Sequence, residues 1–219
     1  MQAGLGPNHG AGGTVAHSGP SKADVDLSGA HQARMARLEP ELARQAAREA
    51  GVPSFMASLS IFQVLLHHLE LSKAVNDLLM TLLSGRYLDP RLRELVIMRV
   101  GWTTRSCYEW TQHWKIAQDL GVSPEDLLAL RDWRSQGSFS LPERCVLALT
   151  DELLSTGEIT QPTWQSCKAA LGEQEETVLE LVTTIGAWRM ISYLARGLEI
   201  PLEEGVAPWP PDGIEPPLR

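Results

Sequence analysis

The stretch Arg91-Leu-Arg-Glu94-Leu-Val-Ile-Met-Arg99-Val-Gly-Trp102-Thr-Thr-Arg105-Ser106-Cys107-Tyr108-Glu109-Trp110-Thr-Gln-His113 decides how this chain is read. Asp89–Pro90 stands just before it, a capping residue followed by proline at the first helical position. That pair opens a helix through Leu92, Leu95, Val96 and Val100. A second helix runs from Ser106 to Leu120 and closes at Gly121. Glu109 and His113 are four residues apart, so they share one face of that helix, with Ser106 a turn earlier. Glu94 lies on the preceding helix, near enough in sequence for the two to pack together.

Outward from this pair, helix signals continue and strand signals are lacking: no β-branched, alternating run persists between turn residues. Residues 31–50 form a charged, Ala-rich amphipathic segment broken near Pro40. Apolar residues recur at helical spacing from Ser54 to about Leu66 and from Glu70 to Leu83, with Gly85 ending the second run. Ser123–Pro124–Glu125–Asp126 starts a short helix to about Trp133, and Ser140 with Glu143 opens one reaching Leu154. Thr160 to Leu171 and Glu173 to Leu198 complete the set, before Pro201. The expectation is a compact all-α domain of about seven to nine helices over residues 31–206. Residues 1–30, rich in Gly, Ala, Ser and His, read as a flexible tail. Residues 207–219, with five prolines, read as an extended tail in which Trp209 anchors to a groove.

The chain has 219 residues, 43% of them hydrophobic, with 19 basic and 27 acidic side chains and a formal charge of −8. That length buries a real core, and the acidic balance argues against a nucleic-acid binder, whose footprint would be a clustered basic face. No apolar run reaches membrane-spanning length, and the first 30 residues lack the apolar core of a secretory signal. Three cysteines, Cys107, Cys145 and Cys167, show no Cys-x-x-Cys spacing and offer too few sulfurs for an all-cysteine zinc site. Reduced thiols and a cytoplasmic location are the expectation. His9 and His17 are isolated in the tail. His67 and His68 are adjacent, about 100° apart on a helix, and suit a helix boundary better than a metal.

The chemistry therefore centres on Glu94, Glu109 and His113. A carboxylate beside an imidazole makes a proton relay that titrates near neutrality, and Tyr108, Trp102, Trp110 and Trp114 can wall an apolar pocket around it. A plainer reading stands beside this one. Ser106 and Glu109 also fit a capping box, Glu109–His113 a surface pair, and the tryptophans a core.

The same stretch resembles the carboxymuconolactone decarboxylase family, which includes the AhpD-type alkylhydroperoxidases. The likeness covers roughly residues 53–203. It rests on Arg-x-x-Glu94 before an apolar run, Tyr108-Glu109-Trp110-x-x-His113, Ile116–Ala117 with Gly121, the Leu-Glu-Leu-Val run from Leu179, and Pro201–Leu202. It implies a helical fold, a small-molecule substrate and a homo-oligomer, trimer or hexamer. The redox branch of the family carries Glu, then Cys-x-x-Cys-x-x-x-His. Here the two Cys positions hold Ser106 and Glu109, and a dithiol peroxidase needs both an attacking and a resolving thiol. Cys107 lies one place off, at a helix start that favours a thiolate but turned about 100° from the face of Glu109 and His113. The decarboxylase branch uses no cofactor. On that pattern His113 is the proton donor or shuttle, Glu109 orients it, and Glu94 is a second acid. Ser106, Tyr108, Trp110 and Trp102 contact substrate, and Arg99 and Arg105 clamp its anionic group. The alternatives are a peroxidase centred on Cys107, a helical oligomer without catalysis, and, least favoured, a metal held by Glu94, Glu109 and His113.

Overall fold

The computed structural model describes residues 33–208 and 214. The amino-terminal tail with His9 and His17, and the carboxy-terminal tail around Trp209, lie outside them. By its contacts the chain divides into Met1–His31 and Gln32–Arg219, and everything below concerns the second unit. Its described residues form nine α-helices and no strand: α1 Pro40–Ala50, α2 Ser60–Leu65, α3 Leu69–Leu83, α4 Pro90–Thr103, α5 Cys107–Asp119, α6 Pro124–Ala129, α7 Leu141–Thr156, α8 Gln161–Ala170 and α9 Glu175–Gly197.

Helix α4 is the axis of the fold. Residues 93–98 and 100–102 are all buried, because α5, α7 and α9 pack around it. The buried stretch includes Arg93 and Glu94 as well as the apolar side chains, so charged groups are carried into the interior with them. Asp89 caps it, its side chain accepting from the amides of Arg91 (2.9 Å) and Leu92 (3.2 Å). At the other end Arg105 takes a left-handed conformation, φ 60°. The amide of Arg105 donates to the Trp102 carbonyl and that of Ser106 to the Gly101 carbonyl, a Schellman closure. Ser106 then caps α5, accepting from the Glu109 amide at 3.4 Å. One residue thus ends α4 and begins α5, which folds the second helix back along the first. Gly101 permits the approach: a Cβ there would sit 3.3 Å from the Trp110 amide nitrogen and 3.5 Å from Glu109 Cβ.

Three local expectations change. Pro40 starts α1 rather than breaking a longer helix; proline suits the first helical position, and Glu39 before it is extended. The Ser54–Leu66 run divides into a 3-10 turn and α2 at extended Leu59, where the Ser60 amide donates to Glu203 instead of a helical carbonyl (2.8 Å). The Ser123 helix ends in a 3-10 turn at Leu130–Asp132. There the Arg99 guanidinium donates to the carbonyls of Leu130 and Arg131 (2.7 and 3.1 Å). Ser140 and Glu143 form a full capping box for α7. No helix among the described residues is long and apolar enough to cross a membrane.

Candidate functional site

The tight α4–α5 turn brings Glu94, Glu109 and His113 together, and α9 completes the group. His113 Nδ1 lies 2.7 Å from Glu94 Oε2. On the other side of the ring the Trp188 indole N–H donates to Nε2 at 2.9 Å, with the two rings edge to face. Glu109 Oε2 is 3.8 Å from that same Nε2. Arg93 Nε reaches Glu94 Oε1 at 3.4 Å. All of this is interior: Glu94 is 0% exposed, Glu109 3%, Arg93 5% and His113 7%.

Buried carboxylates are costly as anions. Burial, reinforced by the Glu94 charge and opposed by His113, pushes Glu109 up to about 7. For His113 burial works against the imidazolium, but the Glu94 carboxylate, by hydrogen bond and charge, prevails and lifts it above the usual histidine range. The cluster thus holds a carboxyl that titrates near neutrality beside an imidazole that retains its proton more firmly than usual, away from bulk water.

The capping-box expectation holds for one partner. Ser106 caps α5, but its own amide is taken by the Gly101 carbonyl (2.9 Å), so Glu109 has no cap to complete and turns to His113. Tyr108 faces away from the cluster. Its hydroxyl donates to Glu203 (2.8 Å) and accepts from the Ile61 amide (3.3 Å), and burial beside that carboxylate drives its pKa well above the usual phenol range. With Gln112 it pins the segment after α9 to α5. Trp102 and Trp110 pack as tilted rings with centroids 5.3 Å apart, with Trp114 beyond. Trp102 and Trp110 are both buried, so these rings build the α4–α5 seam.

Neither expected anion clamp reaches the cluster as its cation. Arg99 grips Asp151 with two bonds of 2.7 and 3.1 Å and donates to two carbonyls of the 3-10 turn after α6. Arg105 lines a separate cleft of about 350 Å³ with Arg189 and Arg196. The cation that does meet the cluster is Arg93. Cys107 is exposed at the first position of α5, 3.8 Å from the Thr111 hydroxyl. Cys145 and Cys167 are buried core residues on α7 and α8. His68 caps α3 and His67 meets the Ala36 carbonyl, the boundary role expected of them. Among the described residues no group of three or more His, Cys, Asp or Glu is arranged to hold a metal ion.

Two members of the cluster escaped the sequence reading. Arg93 is next to Glu94 in the chain, a position that points elsewhere on an ideal helix until its long side chain bends back. Trp188 is 75 residues from His113; an indole that needs an acceptor carries no mark of which one it finds.

Residues 70–152 match the carboxymuconolactone decarboxylase family, while no curated protein sequence matches the chain. Among solved structures, an alkylhydroperoxidase AhpD core protein from Ralstonia eutropha superposes with TM-score 0.64. It is 14% identical, over 81% of this chain and 98% of its own. An uncharacterized peroxidase-related protein from a Silicibacter species gives TM-score 0.62 at 14% identity, over 89% of this chain and 97% of its own. The debrominase Bmp8, solved with a bound tribromopyrrole, gives 0.58 at 15%, over 75% and 85%. Glu94, Glu109 and His113 all lie within the residues that match the carboxymuconolactone decarboxylase family, and the chain has an AhpD-like helical fold without the Cys-x-x-Cys motif.

Proposed function

We propose that this protein is an enzyme performing cofactor-free acid–base chemistry on a small organic compound: decarboxylation, isomerisation or lactone-ring chemistry. The observation that carries the reading is the buried Glu94–His113–Glu109 line, with Glu109 held near neutrality. Ser106 and Glu109 stand where the redox branch has its paired sulfurs. In a decarboxylation the substrate carboxylate leaves as carbon dioxide and its electron pair forms an enolate. His113, as proton donor or shuttle, gives a proton to the enolate carbon and recovers one from the Glu109 carboxyl beside it, which solvent then reprotonates. Glu94 orients the imidazole and offsets its charge, and Arg93 offsets that of Glu94. A debrominase with a brominated pyrrole bound on the same fold supports a small ring compound as ligand. The compartment we assign is the cytoplasm. We also assign a homo-oligomer, trimer or hexamer, whose contacts would cover the exposed apolar side chains of Leu179, Met190 and Tyr193 on α9.

A thermal-shift screen of lactones, aromatic acids and hydroperoxides against wild type and His113→Ala identifies the ligand class. Turnover of the compounds found should fall by about 10²-fold or more in His113→Ala and in Glu109→Gln, with helicity and assembly size retained. Full turnover in both variants rejects the reading.

A second reading, peroxide reduction at Cys107, draws on the exposure of that thiol at a helix start and on the peroxidase-related neighbours. It predicts dimedone labelling of Cys107 after peroxide and loss of peroxide consumption in Cys107→Ser. Peroxide turnover without labelling discards it.

A further inference from the structure

The bond from α9 to His113 imposes something on the imidazole that α4 and α5 do not. An indole N–H donates and cannot accept. With Trp188 Nε1 2.9 Å from His113 Nε2, Nε2 presents its lone pair, and the neutral ring carries its hydrogen on Nδ1, aimed at Glu94. The ring is clamped at both nitrogens between two helices. Trp188 is itself 2% exposed, so its N–H has no water to turn to, and breaking this bond leaves a buried donor unsatisfied. Charging His113 puts a second proton where the indole hydrogen already points. The carboxylate waiting beside that atom is Glu109, at 3.8 Å.

We propose that Trp188 is the positioning residue of this site: its N–H reserves His113 Nε2 as a proton acceptor and opposes charging of the ring until the indole yields to Glu109. The step this governs needs no other reactant. The Glu109 O–H bond breaks, an N–H bond forms at Nε2, and a carboxylate–imidazolium pair replaces two neutral groups. The groups facing the ring are Glu94 and Arg93 from α4, Glu109 from α5 and Trp188 from α9. Three of them set its charge; Trp188 alone acts through a hydrogen bond to Nε2. The catalytic meaning rests on the acid–base reading above, but the geometry does not.

The test is nitrogen NMR of full-length protein labelled at histidine and tryptophan, titrated from acid to alkaline pH. In wild type, once the ring is neutral, His113 Nε2 should be unprotonated and coupled across the hydrogen bond to Trp188 Nε1. Trp188→Phe keeps an aromatic ring and removes the donor, so the His113 midpoint should rise by about 0.5–1 pH unit. A neutral wild-type ring bearing its hydrogen on Nε2 overturns the proposal, and so does an unchanged or lowered midpoint in folded Trp188→Phe. Should the variant fail to fold, the wild-type spectrum decides alone. No outcome depends on turnover, so failure here and failure of the acid–base reading are told apart.

Discussion

Helix α4 carries two kinds of charged contact, and they behave differently. On one side Arg91 bonds Asp126 and Glu143 at 2.8 Å each and Arg99 bonds Asp151 twice. These are staples to α6 and α7, at the protein's edge or near it, with nearly every donor matched. On the other side Arg93, Glu94, Glu109 and His113 lie deep, with one bond of 3.4 Å and one approach of 3.8 Å among their contacts. A matched pair holds helices in place. A crowded, incompletely matched buried group stores its charge at a disadvantage, and that disadvantage is what brings protons into play near neutrality. The two regions also answer pH in opposite senses. Burial works against the Glu143 anion, but the Ser140 amide and hydroxyl together with Arg91 outweigh it and hold its carboxyl below the usual range. Glu109 is held above it.

Three measurements can break or sharpen that contrast. The largest effect belongs to the staples: Arg99→Ala leaves two carbonyls without their partner and Asp151 with only Trp133 and Arg134, and should cost about 3 kcal/mol in urea unfolding. Its effect on the turnover of folded protein should be small. If stability is untouched, the matched pair is not what joins α4 to α7.

Next comes the cluster. A carboxyl whose folded pKa lies above its unfolded value contributes stability that is complete below the ordinary range and is lost as pH rises through about 7. His113, also raised, acts in the same direction. Wild type should therefore lose on the order of 2 kcal/mol from about pH 5 to about pH 8 relative to Glu109→Gln. Parallel stability curves for the two proteins would show that Glu109 is not held neutral by burial. In the staples the sign reverses: the Glu143 contribution is present above the ordinary carboxylate range and fades as pH falls through its lowered value.

The smallest effect is Cys107→Ser. The side chain is exposed and outside both regions, so unfolding should stay within about 0.5 kcal/mol and acid–base turnover should be unchanged. A loss of turnover comparable to His113→Ala would move the chemistry to the thiol.

Where helices begin was legible because capping is local: Asp89–Pro90, Ser106, Ser123–Pro124 and Ser140 with Glu143 satisfy amides within four residues of themselves. The same locality made Glu109 and His113 visible as one face. It failed wherever a distant group changed the local balance, as when Glu203 took the Ser60 amide and divided the Ser54–Leu66 run. Which cation meets the cluster was not legible for a related reason. Three arginines near the cluster look alike in sequence, and only packing determines which is drawn to Asp151, which closes α4 in a left-handed turn, and which bends to Glu94.

By itself, then, the sequence determined an all-helical chain and the set Glu94, Glu109 and His113, since periodicity, caps and i,i+4 spacing are properties of neighbouring residues. The short separation of Glu94 from the second helix also carried the pairing of α4 with α5. Tertiary structure decided the chemistry of the set. Burial raises Glu109, Arg93 rather than Arg99 or Arg105 supplies the charge, and an indole 75 residues away occupies His113 Nε2. Each of these depends on the loss of water and on contacts between helices far apart in the chain, which residue spacing does not encode.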